Sequence, residues 1–182
     1  GGKDLERVMG SPLPVQSRVS ICRQLQDAVT QLQTMGIVHG DIKPANALWR
    51  EEKGEDGTIL LCDCTSSYCV GTAEMNTQTG TSLPFAAPEL WFHGCGELQH
   101  ASLASDVWAL GCILYELTTL RHAFDGQSLP ALVLKILRGK YPPIPSTYSK
   151  DLKALVAALL KRRPELRPSA AQILDMAYVK KY

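Results

Sequence analysis

A mainly α-helical fold with one small β-hairpin is what the sequence predicts, and three observations predict it. Apolar residues recur at helical spacing, as in Cys22, Leu25, Val29 and Leu32. Two short β-prone runs, Ala47–Trp49 and Thr58–Cys62, flank the turn-forming stretch Lys53–Gly57. The stretch Ser105–Thr119 is apolar around most of its circumference, as a buried central helix would be.

The elements follow in chain order. Val15–Met35 reads as a helix that stops at Gly36. A short apolar step, Ile37–His39, leads into a polar loop that ends at Asn46, and the hairpin comes next. Residues 63–86 are rich in Thr, Ser and Gly and show no period, the mark of a long functional loop. In the central helix Val107, Leu110, Ile113, Leu114 and Leu117 are the candidate core. Leu129–Leu137, Ser149–Leu160 and Ser169–Ala177 are three further helices. The last opens on Ser169 with Gln172 three residues on, a capping-box pattern.

Composition narrows the function. The 182 residues are 45% hydrophobic, with 19 Lys and Arg against 18 Asp and Glu, a net charge of +1. That balance gives no argument for nucleic acid or an anionic membrane as partner. No apolar run is long enough to span a bilayer, and no signal peptide opens the chain. The cysteines, among them Cys62, Cys64 and Cys69, lack paired metal-ligand spacing, as do His93, Cys95 and His100. We read them as reduced thiols of a cytoplasmic protein. Nothing in the sequence fixes an oligomeric state.

The chemistry is concentrated in His39-Gly40-Asp41-Ile42-Lys43-Pro44-Ala45-Asn46. An Asp followed by Lys two residues on and Asn five residues on resembles the catalytic loop of protein kinases. That resemblance implies that the carboxylate orients a hydroxyl and accepts its proton, the ammonium neutralises phosphate charge, and the amide oxygen binds magnesium. Alone, Asp41 would be an ordinary turn former and His39 a packed core histidine.

The segment resembles the catalytic loop of eukaryotic protein kinases, and further motifs follow in the family's order. Asp63 stands where the family has the aspartate of its D-F-G motif; Ala87-Pro88-Glu89 matches A-P-E; Ser105–Gly111 resembles the start of the family's central helix. Arg167 matches the late arginine that pairs with the A-P-E glutamate. Lys43 followed by Pro44 is similar to the serine/threonine class. Leu132–Ile136, Gly139–Pro145, Tyr148–Leu152 and Gly1–Leu5 resemble NIMA-related kinases.

The resemblance implies a serine/threonine kinase using ATP and Mg2+ on protein substrates, with possible cytoskeletal association. It assigns catalysis to Asp41 and Lys43, nucleotide contacts to Lys43, Asn46 and Asp63, and metal ligation to Asn46 and Asp63. Residues 1–182 would be the C-terminal lobe of the domain. The Gly-rich loop, strand lysine and helix glutamate of the N-lobe are missing, so the fragment is expected to be inactive alone.

There are departures. Asp63-Cys64-Thr65 replaces D-F-G, so packing at Cys64 is expected to be loose and positive φ at Thr65 costly. Gly40 replaces the Arg of H-R-D, and residues 63–89 contain no Lys or Arg to receive a phosphate. Phosphorylation at Thr72, Thr77, Thr79, Thr81 or Ser82 is therefore expected to be a weak switch. A pseudokinase scaffold and a small-molecule phosphotransferase remain as alternatives.

Overall fold

The computed structural model describes residues 3–10, 13–50, 57–71, 82–91, 100–176 and 179. The chain opens with β1 (Lys3–Asp4) and the short helix α1 (Leu5–Met9), which Asp4 caps by accepting from the Arg7 amide at 2.8 Å. The helix α2 (Val15–Thr34) follows, ending one residue short of Met35, its C-cap. Next come β2 (Ile37–Val38), β3 (Ala47–Arg50), β4 (Thr58–Leu61) and β5 (Tyr68–Cys69). The rest is helical: α3 (Leu103–Thr119), α4 (Leu129–Arg138), α5 (Lys150–Leu159) and α6 (Ala170–Leu174).

The expected hairpin strands pair antiparallel, with Ala47 opposite Leu61 and Arg50 opposite Thr58. The Lys53–Asp56 part of the expected turn lies outside the described residues. Two pairings were not predicted. β1 adds to β3, giving the sheet order β1-β3-β4, and β2 pairs with β5. Strands of two residues carry no alternation that could reveal them.

α3 is the centre of the core. Leu110, Ile113 and Leu114 are fully buried, as its apolar circumference predicts. Burying each such side chain contributes roughly 1.5–3 kcal/mol. Trp108 is also fully buried and stacks on Phe124 with ring centroids 5.2 Å apart. Gly111 lets α5 approach closely, because a Cβ there would meet Leu159 Cβ and Leu160 Cδ2, both at 2.9 Å.

α3 starts two residues earlier than the apolar pattern suggests. Ser102 is its cap: the Ser102 hydroxyl accepts from the Ser105 amide at 3.1 Å, and the Ser105 hydroxyl accepts from the Ser102 amide at 2.7 Å. The capping box expected at Ser169 and Gln172 is present.

Candidate active site

The loop between β2 and β3 is tied to the first turn of α3. Asp106 accepts from the His39 amide at 2.8 Å and from the Gly40 amide at 3.0 Å. This carboxylate is buried, and burial pushes its pKa up to about 7 against the pull of those two N–H bonds. Gly40 has φ +81°, and a Cβ there would sit 2.9 Å from the Ser66 carbonyl oxygen. The loop is thus shaped around a glycine, and an arginine does not fit this backbone.

His39 is buried, and burial lowers its pKa against weaker pulls from the Cys62 carbonyl and the Asp41 and Asp63 carboxylates. Its Nδ1 accepts from the Asp41 amide at 3.3 Å, which makes it a packed, loop-ordering residue.

Asp41, Lys43 and Asn46 form one network. Lys43 Nζ lies 2.7 Å from Asp41 Oδ2. Asn46 Nδ2 donates to the Asp41 carbonyl at 2.9 Å and to Oδ2 at 3.0 Å. Both acceptors fix the amide orientation, which leaves Asn46 Oδ1 as the oxygen turned away from Asp41. The Ser82 amide donates to Asp41 Oδ1 at 3.2 Å, so the segment after residue 81 reaches the same carboxylate. Thr72, Thr77, Thr79 and Thr81 lie outside the described residues.

Asp63 is placed beside this network by its neighbour. The Cys62 amide donates to the Asn46 carbonyl at 2.9 Å, fastening the end of β4 to the turn that carries Asn46. Asp63 itself is exposed and left-handed, with φ 64° and ψ 68°. Aspartate is among the residues that tolerate this region.

The expected strain at Thr65 is not there: positive φ falls on Asp63, and Thr65 lies within the 3-10 turn Cys64–Ser66. Thr65 instead donates its hydroxyl to Asp63 Oδ1 at 2.7 Å. That bond, with the Thr65 amide, holds the Asp63 pKa below the ordinary carboxylate value. Cys64 is exposed.

The chemistry of these donors fits a hard divalent cation. The Asn46 amide oxygen and the Asp63 carboxylate are both oxygen ligands of the kind magnesium takes. Among the described residues no group of three or more His, Cys, Asp or Glu side chains could hold a metal. His93 and Cys95 lie outside those residues. None of the described helices is long and apolar enough to cross a membrane.

The expected ion pair is present and more elaborate than expected. Arg167 Nη1 meets Glu89 Oε1 at 2.6 Å and Nη2 meets Oε2 at 2.7 Å. Nε donates to the Lys161 carbonyl at 2.8 Å, Nη1 to that of Ala104 at 2.8 Å and Nη2 to that of Arg162 at 3.1 Å. Every guanidinium donor is used. The group also lies 5.0 Å from the Trp108 ring centroid. One side chain thereby joins the segment around Glu89 to α3 and to the loop after α5.

The protein kinase domain matches residues 2–179. The chain belongs to the protein kinase family. Curated relatives of this kinase-family chain include a probable serine/threonine-protein kinase nek3 of Dictyostelium discoideum, 40% identical over 89% of the chain and 14% of that protein. The serine/threonine-protein kinase Nek1 of Mus musculus is 37% identical over 90% of the chain and 13% of its own length. The nekl-2 kinase of Caenorhabditis elegans is 35% identical over 93% and 45%. The chain thus spans less than half the length of each of these relatives. A crystal structure of the Rad53 kinase domain and SCD2 superposes with a TM-score of 0.79 at 23% identity, covering 99% of this chain and 62% of that one. The same domain in complex with AMPPNP gives 0.78, also at 23%, covering 99% and 66%. These structures share its fold.

Asp106 is the contact on the loop to which the sequence analysis gave no structural role. A carboxylate on the otherwise apolar helix Ser105–Thr119 was the available signal for it. Ser82 stands near the position where the family resemblance places a Thr that contacts this loop, and the contact it makes is through its main-chain N–H.

Proposed function

We propose that the chain carries the phosphoryl-transfer centre of a serine/threonine protein kinase of NIMA-related type, acting with ATP and Mg2+ on protein hydroxyls. The single observation that supports this best is the Asp41 carboxylate, held on three sides by Lys43, Asn46 and the Ser82 amide. Such a carboxylate is fixed in direction yet able to accept a hydrogen bond from a substrate hydroxyl.

In this reading Asp41 orients the serine or threonine hydroxyl and takes its proton as the oxygen bonds to the γ-phosphorus, while the bond from that phosphorus to the β–γ bridging oxygen breaks and ADP leaves. Lys43 is in contact with Asp41 and swings toward the transferring group, where its charge offsets that of the phosphate oxygens. Asn46 Oδ1 and the Asp63 carboxylate would hold the cation. When bound, Mg2+ would supply neutralisation of the phosphate charge. Thr65 keeps the Asp63 carboxylate turned to a fixed direction.

Residues 1–182 are, in the same reading, the C-terminal lobe of the kinase domain, and the isolated lobe transfers little phosphate. Proteins are the substrates, and the protein acts in the cytoplasm. The alternative is a pseudokinase scaffold, for which the exposed Cys64 and the absent Arg at Gly40 speak. The test incubates the complete protein with γ-labelled ATP, Mg2+ and a set of serine- and threonine-containing peptides. Phosphoserine or phosphothreonine that disappears on chelation of Mg2+ is expected. Nucleotide binding without transfer would replace the kinase reading by the scaffold.

A further inference from the structure

The chain is almost neutral, yet among the described residues the exposed cations of one region lie close together. A groove of about 730 Å³ runs between the end of α3, α4 and the segment after it, with Arg121, Arg138 and Lys140 on its wall and Tyr141 and Pro143 among the lining. A second groove, of about 700 Å³, lies on the other side of Gly139 and Tyr141 and carries Lys161, Arg162 and Arg163. The two are adjoining: a Cβ at Gly139 would meet Arg162 Cγ at 2.4 Å, so the arginine stem lies directly against the turn that ends α4.

Three of the acidic groups nearby are already committed. Asp125 pairs with Lys135 at 3.2 Å, Glu116 with His122 at 3.1 Å, and Glu89 with Arg167. Glu165 is exposed beside Arg163 and forms no ion pair with it. Arg121, Arg138, Lys140, Lys161, Arg162 and Arg163 are all exposed, and none has an acidic partner among the described residues. With 19 basic and 18 acidic side chains in all, such a grouping is a local excess and not a general property of the surface. Exposed like charges on one face repel one another, so the face is stabilised when an anionic partner covers it.

We propose that this face is a docking surface for an acidic, Asp- and Glu-rich segment of a protein partner. The carboxylates would meet the cations on both sides of the Gly139–Tyr141 ridge, and an apolar or aromatic side chain would enter the groove beside Tyr141 and Pro143. A groove with a tyrosine and proline floor suits a side chain better than it suits a phosphodiester backbone, which favours a polypeptide over nucleic acid. None of these residues belongs to the Asp41 network, so docking is separable from phosphoryl transfer.

The probe is a short fluorescein-labelled peptide of Asp and Glu around one Trp, measured by anisotropy against the complete protein. A Gln and Asn version of the same peptide is the reference. The acidic peptide is expected to bind at least about tenfold more tightly than the reference, and more weakly as salt is raised. The paired change Arg138→Glu with Lys140→Glu, and separately Arg162→Glu, should each weaken it by about tenfold or more. Arg50→Glu, on β3, should leave affinity within about twofold. Melting curves and transfer to a neutral peptide check that the fold is kept; if charge reversal unfolds the protein, Arg138→Gln with Lys140→Gln is measured in its place. Affinity unchanged by these variants would overturn the proposal. So would tighter binding of single-stranded oligothymidine or of phosphatidylserine vesicles than of the acidic peptide.

Discussion

Removing the Arg167 guanidinium by Arg167→Ala should destabilise the protein by about 3–5 kcal/mol, the usual cost of breaking a buried ion pair from one side. The structure shows why the upper half of that range applies. The side chain is fully enclosed, and its donors serve both Glu89 oxygens and the carbonyls of Lys161, Ala104 and Arg162. Losing it leaves a partly buried carboxylate and orphaned carbonyls together, and strips a cation from the Trp108 face. Arg167→Lys keeps the charge but offers one point of contact in place of a fork, so it should recover only part of the loss. Urea denaturation of the complete protein reads the change as a shift of midpoint at constant slope. Glu89→Ala belongs in the same series, because a double-mutant cycle isolates the pair. The double variant should be little worse than Arg167→Ala alone. Single losses below about 1 kcal/mol, or strictly additive ones, would refute the view that this pair clamps the Glu89 segment to the helices.

Three further outcomes are expected. Gly40→Arg should destabilise the protein by at least about 1–2 kcal/mol, because the left-handed backbone and the Ser66 carbonyl leave no place for a Cβ; it should not create dependence on loop phosphorylation, which phosphatase treatment followed by turnover would show. The Asp106 carboxyl, raised to about 7 in the fold against about 3.9 in an unfolded chain, holds its proton more tightly when folded, so its contribution is full below about pH 4 and lost as pH rises to about 7; over that window wild type should lose stability relative to Asp106→Asn, and parallel curves or a relative gain would contradict it. Asp63→Asn should weaken Mg2+-nucleotide binding measured by calorimetry, and Thr65→Val should do so less, through loss of the hydroxyl that fixes Asp63 Oδ1; equal affinity in all three proteins would show that Asp63 holds no cation.

What was legible in the sequence was what lies close together along it. Asp41, Lys43 and Asn46 fall within one turn-rich segment, so their spacing already implies the network that Asn46 Nδ2 and Lys43 Nζ complete. The central helix was legible because Leu110, Ile113 and Leu114 share an apolar stretch. The Glu89–Arg167 pair was legible only through the family resemblance, since its members are 78 residues apart. The Asp106 contacts with the His39 and Gly40 amides span 67 and 66 residues, and a carboxylate accepting from main-chain groups leaves no pattern in its partners. Thr65 read as a strained replacement for glycine because the left-handed turn was assigned to the wrong residue; the backbone takes that turn at Asp63, and the hydroxyl becomes a donor. The basic face was hidden for the same reason as Asp106: its grooves form only when α4 packs against the Pro88–Trp91 turn and the loop after α5 packs against α3.

The most direct test of the central claim is single-turnover phosphoryl transfer by the complete protein carrying Asp41→Asn, with nucleotide affinity measured on the same preparation. An amide at this position keeps a neighbour for Lys43 but cannot take the hydroxyl proton. The account predicts transfer reduced by about a hundredfold or more with ATP affinity nearly unchanged. Transfer at close to the wild-type rate would show that Asp41 does not orient the attacking hydroxyl, and the site as described would be the wrong one.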